Sequence, residues 1–208
     1  LERAKEQGIG HYFVPRYTRV VDTAESKDNI NKAYNLISTS KVRNEMIIDD
    51  VITCVARKQT PVILTRFKEH AKFLYDALKE KADHVFLLYG DNSDKENAEI
   101  RVKLKQIPEN ESLILVATGQ KIGEGFDFPR LDVLMLAAPV SFEGRLEQYV
   151  GRLNRDYVGK EAVYVYDYID SHVRYFDKMY AKRLRTYRKM GFSIWTQELQ
   201  PKQIINAI

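Results

Sequence analysis

Residues Gln148-Tyr149-Val150-Gly151-Arg152-Leu153-Asn154-Arg155 combine a polar anchor, a glycine and two arginines in the order Q-x-x-G-R-x-x-R. If the stretch is helical, arginines three residues apart share a face. Gly151 would let the backbone approach a neighbour closely. Two fixed guanidiniums on one face suit a polyphosphate, because each presents a planar fork of donors. The plainer reading is a solvated basic helix end, since arginines are usually exposed. The octet by itself leaves both readings open.

A second stretch lies some thirty residues upstream, Val116-Ala117-Thr118-Gly119-Gln120-Lys121-Ile122-Gly123-Glu124-Gly125-Phe126-Asp127-Phe128-Pro129. It continues the apolar run Leu113-Ile114-Leu115, which has the pattern of a buried strand. A strand that runs into Thr-Gly, Gly-x-Gly and an Asp is a strand-to-loop junction. Ligands of open α/β sheets bind at such carboxyl ends.

The elements that must position these residues alternate along the chain. Strands are expected at 12–21, 61–65, 85–89, 113–116, 133–137 and 162–166. Helices are expected at 42–57, 67–82, 93–107, around Gln148–Arg155, and at 171–190. Alternation of this kind implies βαβ units and a mostly parallel sheet. The last helix has an apolar stripe (Val173, Phe176, Tyr180, Leu184, Tyr187, Met190) and a basic stripe (Arg174, Lys178, Lys182, Arg185, Lys189). It reads as a packed surface helix with its cations in water, or as one that also contacts phosphates.

Composition excludes several classes. The 208 residues are 44% apolar and 30% charged, an ordinary soluble globular balance. No apolar run reaches membrane-spanning length, and no secretory signal opens the sequence. A single cysteine, Cys54, rules out an internal disulfide, and no zinc-ligand cluster is visible. A cytoplasmic location and no membrane partner are expected. Net charge is +4, concentrated from Asp170 onward, where eight basic residues face three acidic ones. Charge of this sign suits a polyanionic partner near that segment.

Taken together, the two stretches resemble motifs V and VI of superfamily 2 helicases, in the branch of type III restriction subunits and excision-repair helicases. The resemblance implies a RecA-like α/β fold, with a mostly parallel sheet flanked by helices. It covers roughly residues 41–170, with 1–40 as a connector from an N-terminal motor domain and 171–208 as a basic amphipathic helix and tail. It implies that Arg155 is the arginine finger and Arg152 a second phosphate contact. Gln148 would position the nucleotide, Asp127 would touch its ribose or link to motif VI, and Gly125 would allow close backbone approach. Thr118 and Gly119 would hold a nucleic-acid phosphate. Leu64-Thr65-Arg66 matches motif IV, with Thr65 or Arg66 as another backbone contact; Thr65 reads equally well as a helix N-cap. Tyr89-Gly90 occupies the place of a further strand-contacting loop.

Helicases of this type hydrolyse ATP with Mg²⁺ between two RecA-like domains. No Gly-x-x-x-x-Gly-Lys-Ser/Thr phosphate loop and no suitably placed acidic pair occur in these 208 residues; Gly159-Lys160 lacks the spacing, and Asp49-Asp50 falls mid-helix. ATP and Mg²⁺ are therefore expected to be held mainly by the N-terminal domain of a longer parent chain, the start at Leu1 suggesting an excised piece. The expected partner is nucleic acid, DNA ahead of RNA. In one respect the sequence departs from the family: Tyr149 stands where many relatives carry Arg. The alternative is a nucleic-acid or protein binding module with the helicase fold and no motor role.

Overall fold

The computed structural model describes residues 8–195 apart from 124–126 and 141–142. Its elements are β1 (Gly10–Tyr17), α1 (Ile30–Ser38), α2 (Lys41–Ala56), β2 (Pro61–Thr65), α3 (Lys68–Leu78), β3 (His84–Leu88), α4 (Asp94–Gln106), β4 (Leu113–Thr118), α5 (Gly119–Gly123), β5 (Val133–Leu136), α6 (Glu143–Leu153), β6 (Ala162–Ile169), α7 (Arg174–Lys189) and β7 (Ser193–Ile194). Gly125, expected at the nucleotide, lies outside the described residues, as does the tail beyond 195.

The strands form one parallel sheet in the order β3-β4-β2-β5-β6-β1-β7. Strands β2 and β4 are buried along their whole length. This is why they read as unbroken apolar runs: helices cover both faces of the sheet. On one face α2 and α3 bury Ile47, Val51, Leu74 and Leu78. On the other, α6 and α7 bury Leu146, Val150, Leu153 and Tyr187 against Val163 and Val165.

Local signals fix several helix starts. The Ser93 hydroxyl accepts from the Glu96 amide while the Glu96 carboxylate accepts from the Ser93 amide, a complete capping box opening α4. Asn29 caps α1 and Ser40 caps α2. Helix α1 is an element the sequence reading did not anticipate.

The segment expected to be a connector contributes to the sheet. β1 pairs with β6 over its full eight residues, Gly10 opposite Ala162 through Tyr17 opposite Ile169. Tyr34 and Ile37 of α1 pack with Val173 and Phe176 at the start of α7. Two ion pairs that the sequence did not reveal fasten the helices. Arg43 of α2 donates two hydrogen bonds to Asp170, at 2.9 and 3.1 Å, with both side chains wholly buried. Arg183 of α7 donates two to Asp167 of β6, at 2.7 and 2.8 Å, where Tyr187 donates a third at 2.6 Å. The two arginines also donate to the carbonyls of Ala137 and Val140, at 2.6 and 3.2 Å, fixing the exit of β5. The outward basic stripe thus holds Arg174, Lys178, Lys182 and Arg185, all exposed, while Arg183 turns inward.

Candidate functional site

A parallel strand must be followed by a return to the opposite end of the sheet. That requirement divides the expected site residues into two groups. Thr65 ends β2 and Thr118 ends β4, and the two are register partners at the carboxyl edge. The chain then runs back, so that residues 127–132 lie at the amino end of β5, and α6 ends where β6 is about to begin. The carboxyl-end rule therefore describes Thr65 and Thr118 but not Asp127 and Arg155. The two groups stand a strand length apart, about 15–20 Å for five or six residues.

At the amino end, α6 carries its apolar residues at Leu146, Tyr149, Val150 and Leu153, all buried. This i, i+3, i+4, i+7 stripe faces the sheet. Gln148 and Gly151 are exposed and Arg152 is half-buried on the other side. Gly151 has open space where a Cβ would stand, so it serves no close approach. The helix stops at Leu153, and Arg155 lies two residues beyond it. The two arginines are therefore not on one helical face. Arg155 instead meets Asp127, its Nε 3.5 Å from Oδ1, with the side chains 55% and 53% exposed. A pair so exposed adds little to stability, and its guanidinium remains open to an incoming anion.

Lys160 holds this corner together. Its ammonium donates to the carbonyls of Pro129 and Leu131, at 2.9 and 2.8 Å, and to the carbonyl of Leu153 at the end of α6. An ammonium has three donors, and three carbonyls take them. One of these, the helix-end carbonyl of Leu153, also accepts from the Arg155 amide at 2.8 Å. The Asp127 loop and the end of α6 are thereby joined through one side chain. In the sequence this lysine attracted notice only as a failed phosphate loop. Asn154, beside Arg155, bonds His11 of β1 at 3.1 Å, a second tie.

At the carboxyl edge, Thr65 is buried and its hydroxyl is already committed. The amide of Asn44 donates to the Ser38 carbonyl at 2.9 Å, which turns its oxygen toward His70 Nε2 at 2.8 Å. Nε2 must then carry the proton, so Nδ1 accepts from the Thr65 hydroxyl at 2.6 Å. Burial, followed by the Arg43 charge, pulls the His70 pKa down to about 3, consistent with this neutral ring. The Thr65 hydroxyl thus has no proton left for a phosphate. It does not cap α3 either, whose N-cap is Phe67 without a side-chain bond. Arg66 is exposed, with its guanidinium 4.5 Å from the centre of the Tyr34 ring. Tyr89 is half-buried and packs against the core.

Thr118 leads directly into Gly119, whose Cα faces Tyr149. A Cβ at 119 would stand 2.5 Å from the Tyr149 hydroxyl oxygen. The tyrosine that replaces the expected arginine is thus a core residue wedged beneath motif V, and it supplies no charge to the surface.

No group of three or more His, Cys, Asp or Glu side chains suited to a metal occurs among the described residues. No described helix is long and apolar enough to cross a membrane. Cys54 is buried, and burial pushes its thiol up to about 12.

Comparison with known proteins gives three kinds of result. No family model matches the chain. In sequence it is 29% identical over 171 residues to the transcript termination protein A18 of Yaba-like disease virus, covering 77% of this chain and 35% of that protein. It is also 29% identical over 164 residues to the putative helicase 161L of Invertebrate iridescent virus 6, covering 74% and 35%. The chain thus spans about a third of the length of these relatives. In structure it is similar to T4 UvsW, with a TM-score of 0.69 at 20% identity over 90% of this chain and 41% of that one. It is similar also to the C-terminal domain of the DEAD-box protein Dbp5, with a TM-score of 0.52 at 14% identity over 90% and 88%.

Proposed function

We propose that this chain, whose fold is that of the C-terminal RecA-like domain of superfamily 2 helicases, is the second motor domain of an ATP-dependent helicase or translocase. The single observation that carries the reading is Arg155, solvent-open at the amino end of the sheet and steadied by Asp127. In this reading Arg155 reaches across a cleft to the triphosphate held by an N-terminal RecA-like domain of the same parent chain. Arg152 and Gln148, exposed or half-exposed on the last turns of α6, add a second phosphate contact and a polar anchor. Asp127 orients the finger when the nucleotide is away.

The chemistry these residues fit is phosphoryl transfer, in which an arginine aimed at the γ-phosphate neutralises charge that grows in the transition state. Mg²⁺, held mainly by the partner lobe, would supply further charge neutralisation at the triphosphate. At the other end of the sheet, the Gly119 amide, the Thr118 hydroxyl and the Arg66 guanidinium hold the backbone of a nucleic-acid strand, DNA ahead of RNA. Such contacts position the strand without reading its sequence.

The test uses the parent protein. Arg155→Ala should lower strand-stimulated ATP turnover by about 10³- to 10⁵-fold in kcat, with strand affinity kept. Undiminished turnover would remove Arg155 from the mechanism. One observation favours the rival reading of a binding module without motor activity: the arginine expected at 149 is a buried tyrosine. That reading requires strand affinity to ignore a non-hydrolysable ATP analogue. The motor reading requires a change of at least several-fold.

A further inference from the structure

Four cations of α7 follow one another along a single outward row: Arg174, Lys178, Lys182 and Arg185. At 1.5 Å rise per residue, successive members of the row stand about 4.5–6 Å apart along the axis. That step is comparable with the distance between neighbouring phosphates of a stretched single strand. All four are exposed, and none forms an ion pair with a described carboxylate. Three described carboxylates lie near the row. Asp22 caps the helix by accepting from the Arg174 amide at 2.8 Å. Asp177 lies in the first turn, and Glu147 pairs with Lys189 beyond the row's far end at 3.7 Å. The helix is anchored from its other side by the buried Arg183–Asp167 pair, so the row is presented on a rigid element.

The row begins beside the carboxyl edge of the sheet. Tyr34 stands between the two. Arg66 lies over its ring, while Phe176 packs against the same tyrosine at 4.8 Å between ring centres and the Met179 sulfur sits 3.9 Å from its hydroxyl. Arg66 and the buried side of the first turns of α7 thus meet at one tyrosine, which places the start of the helix beside the strand ends.

We infer that the outward row of α7 is a second contact surface for a single-stranded nucleic-acid backbone, prolonging the track that starts at Arg66, Thr118 and Gly119. It rests on the proposed function for its neighbour, yet depends on different residues. Lysines and arginines at this spacing neutralise phosphates without reading bases, so the surface is indifferent to sequence.

The test is fluorescence anisotropy of the 208-residue chain with labelled dT20 and U20 oligonucleotides across 50–300 mM salt. K178A/K182A/R185A should weaken binding at least tenfold at low salt. It should also flatten the slope of log affinity against log salt by about 2, from some 0.7 per neutralised phosphate. These side chains are solvent-facing, so an unchanged thermal melt is the control for folding. R66A/T118V separates the two proposals. Loss in that variant with wild-type binding in the triple variant overturns the α7 surface and keeps the edge. Loss in the triple variant alone keeps the α7 surface and removes the edge. If the triple variant binds oligonucleotides as wild type does but no longer pelts with vesicles of 30% phosphatidylserine, the row serves a lipid surface and the inference is wrong.

Discussion

The hydroxyl of Tyr149 lies directly against the Cα of Gly119, leaving a Cβ there only 2.5 Å of room. A residue of motif VI thus crowds the position that motif V leaves without a side chain. A Gly119→Ala change must push the ring away or shift the β4–α5 junction. It should cost about 1–3 kcal/mol by urea denaturation, the usual range for overpacking. Tyr149→Phe removes the nearest atom, and the next, the ring carbon Cζ, is 3.3 Å away. The double variant should therefore recover part of the loss. Simple additivity of the two single changes would show that the contact is not the cause.

Lys160 joins the Asp127 loop to the end of α6 through three carbonyls. Lys160→Met keeps the length of the stem and removes every donor. A loss of about 1–3 kcal/mol is expected from the carbonyls left unsatisfied. Backbone amides of residues 127–132 should exchange faster with solvent in this variant, while those of β3 and β4 should not. Unaltered exchange at 127–132 would mean that the loop is held by other contacts.

The two buried ion pairs should respond to truncation far more than the surface pairs. Asp170→Asn leaves Arg43 charged in a wholly buried site, and a loss of about 3–5 kcal/mol is expected. Lys72→Ala, which breaks an exposed pair with Asp76 at 3.1 Å, should cost well under 1 kcal/mol. Equal denaturation midpoints for these two variants would contradict the burial argument.

Among the groups that shape the pH dependence of stability, two buried ones act in opposite senses. His70 has a folded pKa of about 3 against an ordinary 6.5. Between those values the unfolded chain holds a proton that the folded chain refuses. Its contribution to stability is complete above pH 6.5 and is lost as pH falls toward 3, at about 1.4 kcal/mol per pH unit. Asp132 behaves in the opposite sense. Burial pushes its carboxyl up to about 6, against the pull of the Thr60 amide that donates to it at 2.7 Å. The folded chain therefore binds the extra proton between about pH 4 and 6, and stability from this group falls as pH rises through that window. Wild type should show a shallow profile from pH 4 to 6. Asp132→Asn should expose a rise with pH, and His70→Gln a fall. Parallel profiles for the two variants would refute the assignment.

Much of the architecture could be read from residue pattern. Apolar runs with β-branched residues located β2, β3, β4, β5 and β6 to within a few residues, because a strand covered on both faces has nowhere to place a polar side chain. A helix cap at Ser93 or Asn92 marked the start of α4, and Ser93 proves to be the one, paired with Glu96. The stripe Leu146, Tyr149, Val150 and Leu153 that faces the sheet was not singled out, because the arginines beside its members dominate the motif. Helix α1 and the membership of β1 in the sheet were not legible in the same way. β1 has one mixed, partly polar face pattern, and its partner strand lies about 150 residues away.

Chain order alone determined that Thr65 and Thr118 close parallel strands and that Arg152 and Arg155 cluster with Gln148. Only the tertiary structure decided which of them stand together. It ended α6 before Arg155, turned that side chain to Asp127, consumed the Thr65 hydroxyl with a histidine supported from α2, and buried Arg43 and Arg183 while leaving the rest of the α7 row in water. The physical reason is that charge and hydrogen-bonding capacity are properties of a residue type, whereas their availability depends on which groups from distant segments arrive first to satisfy them.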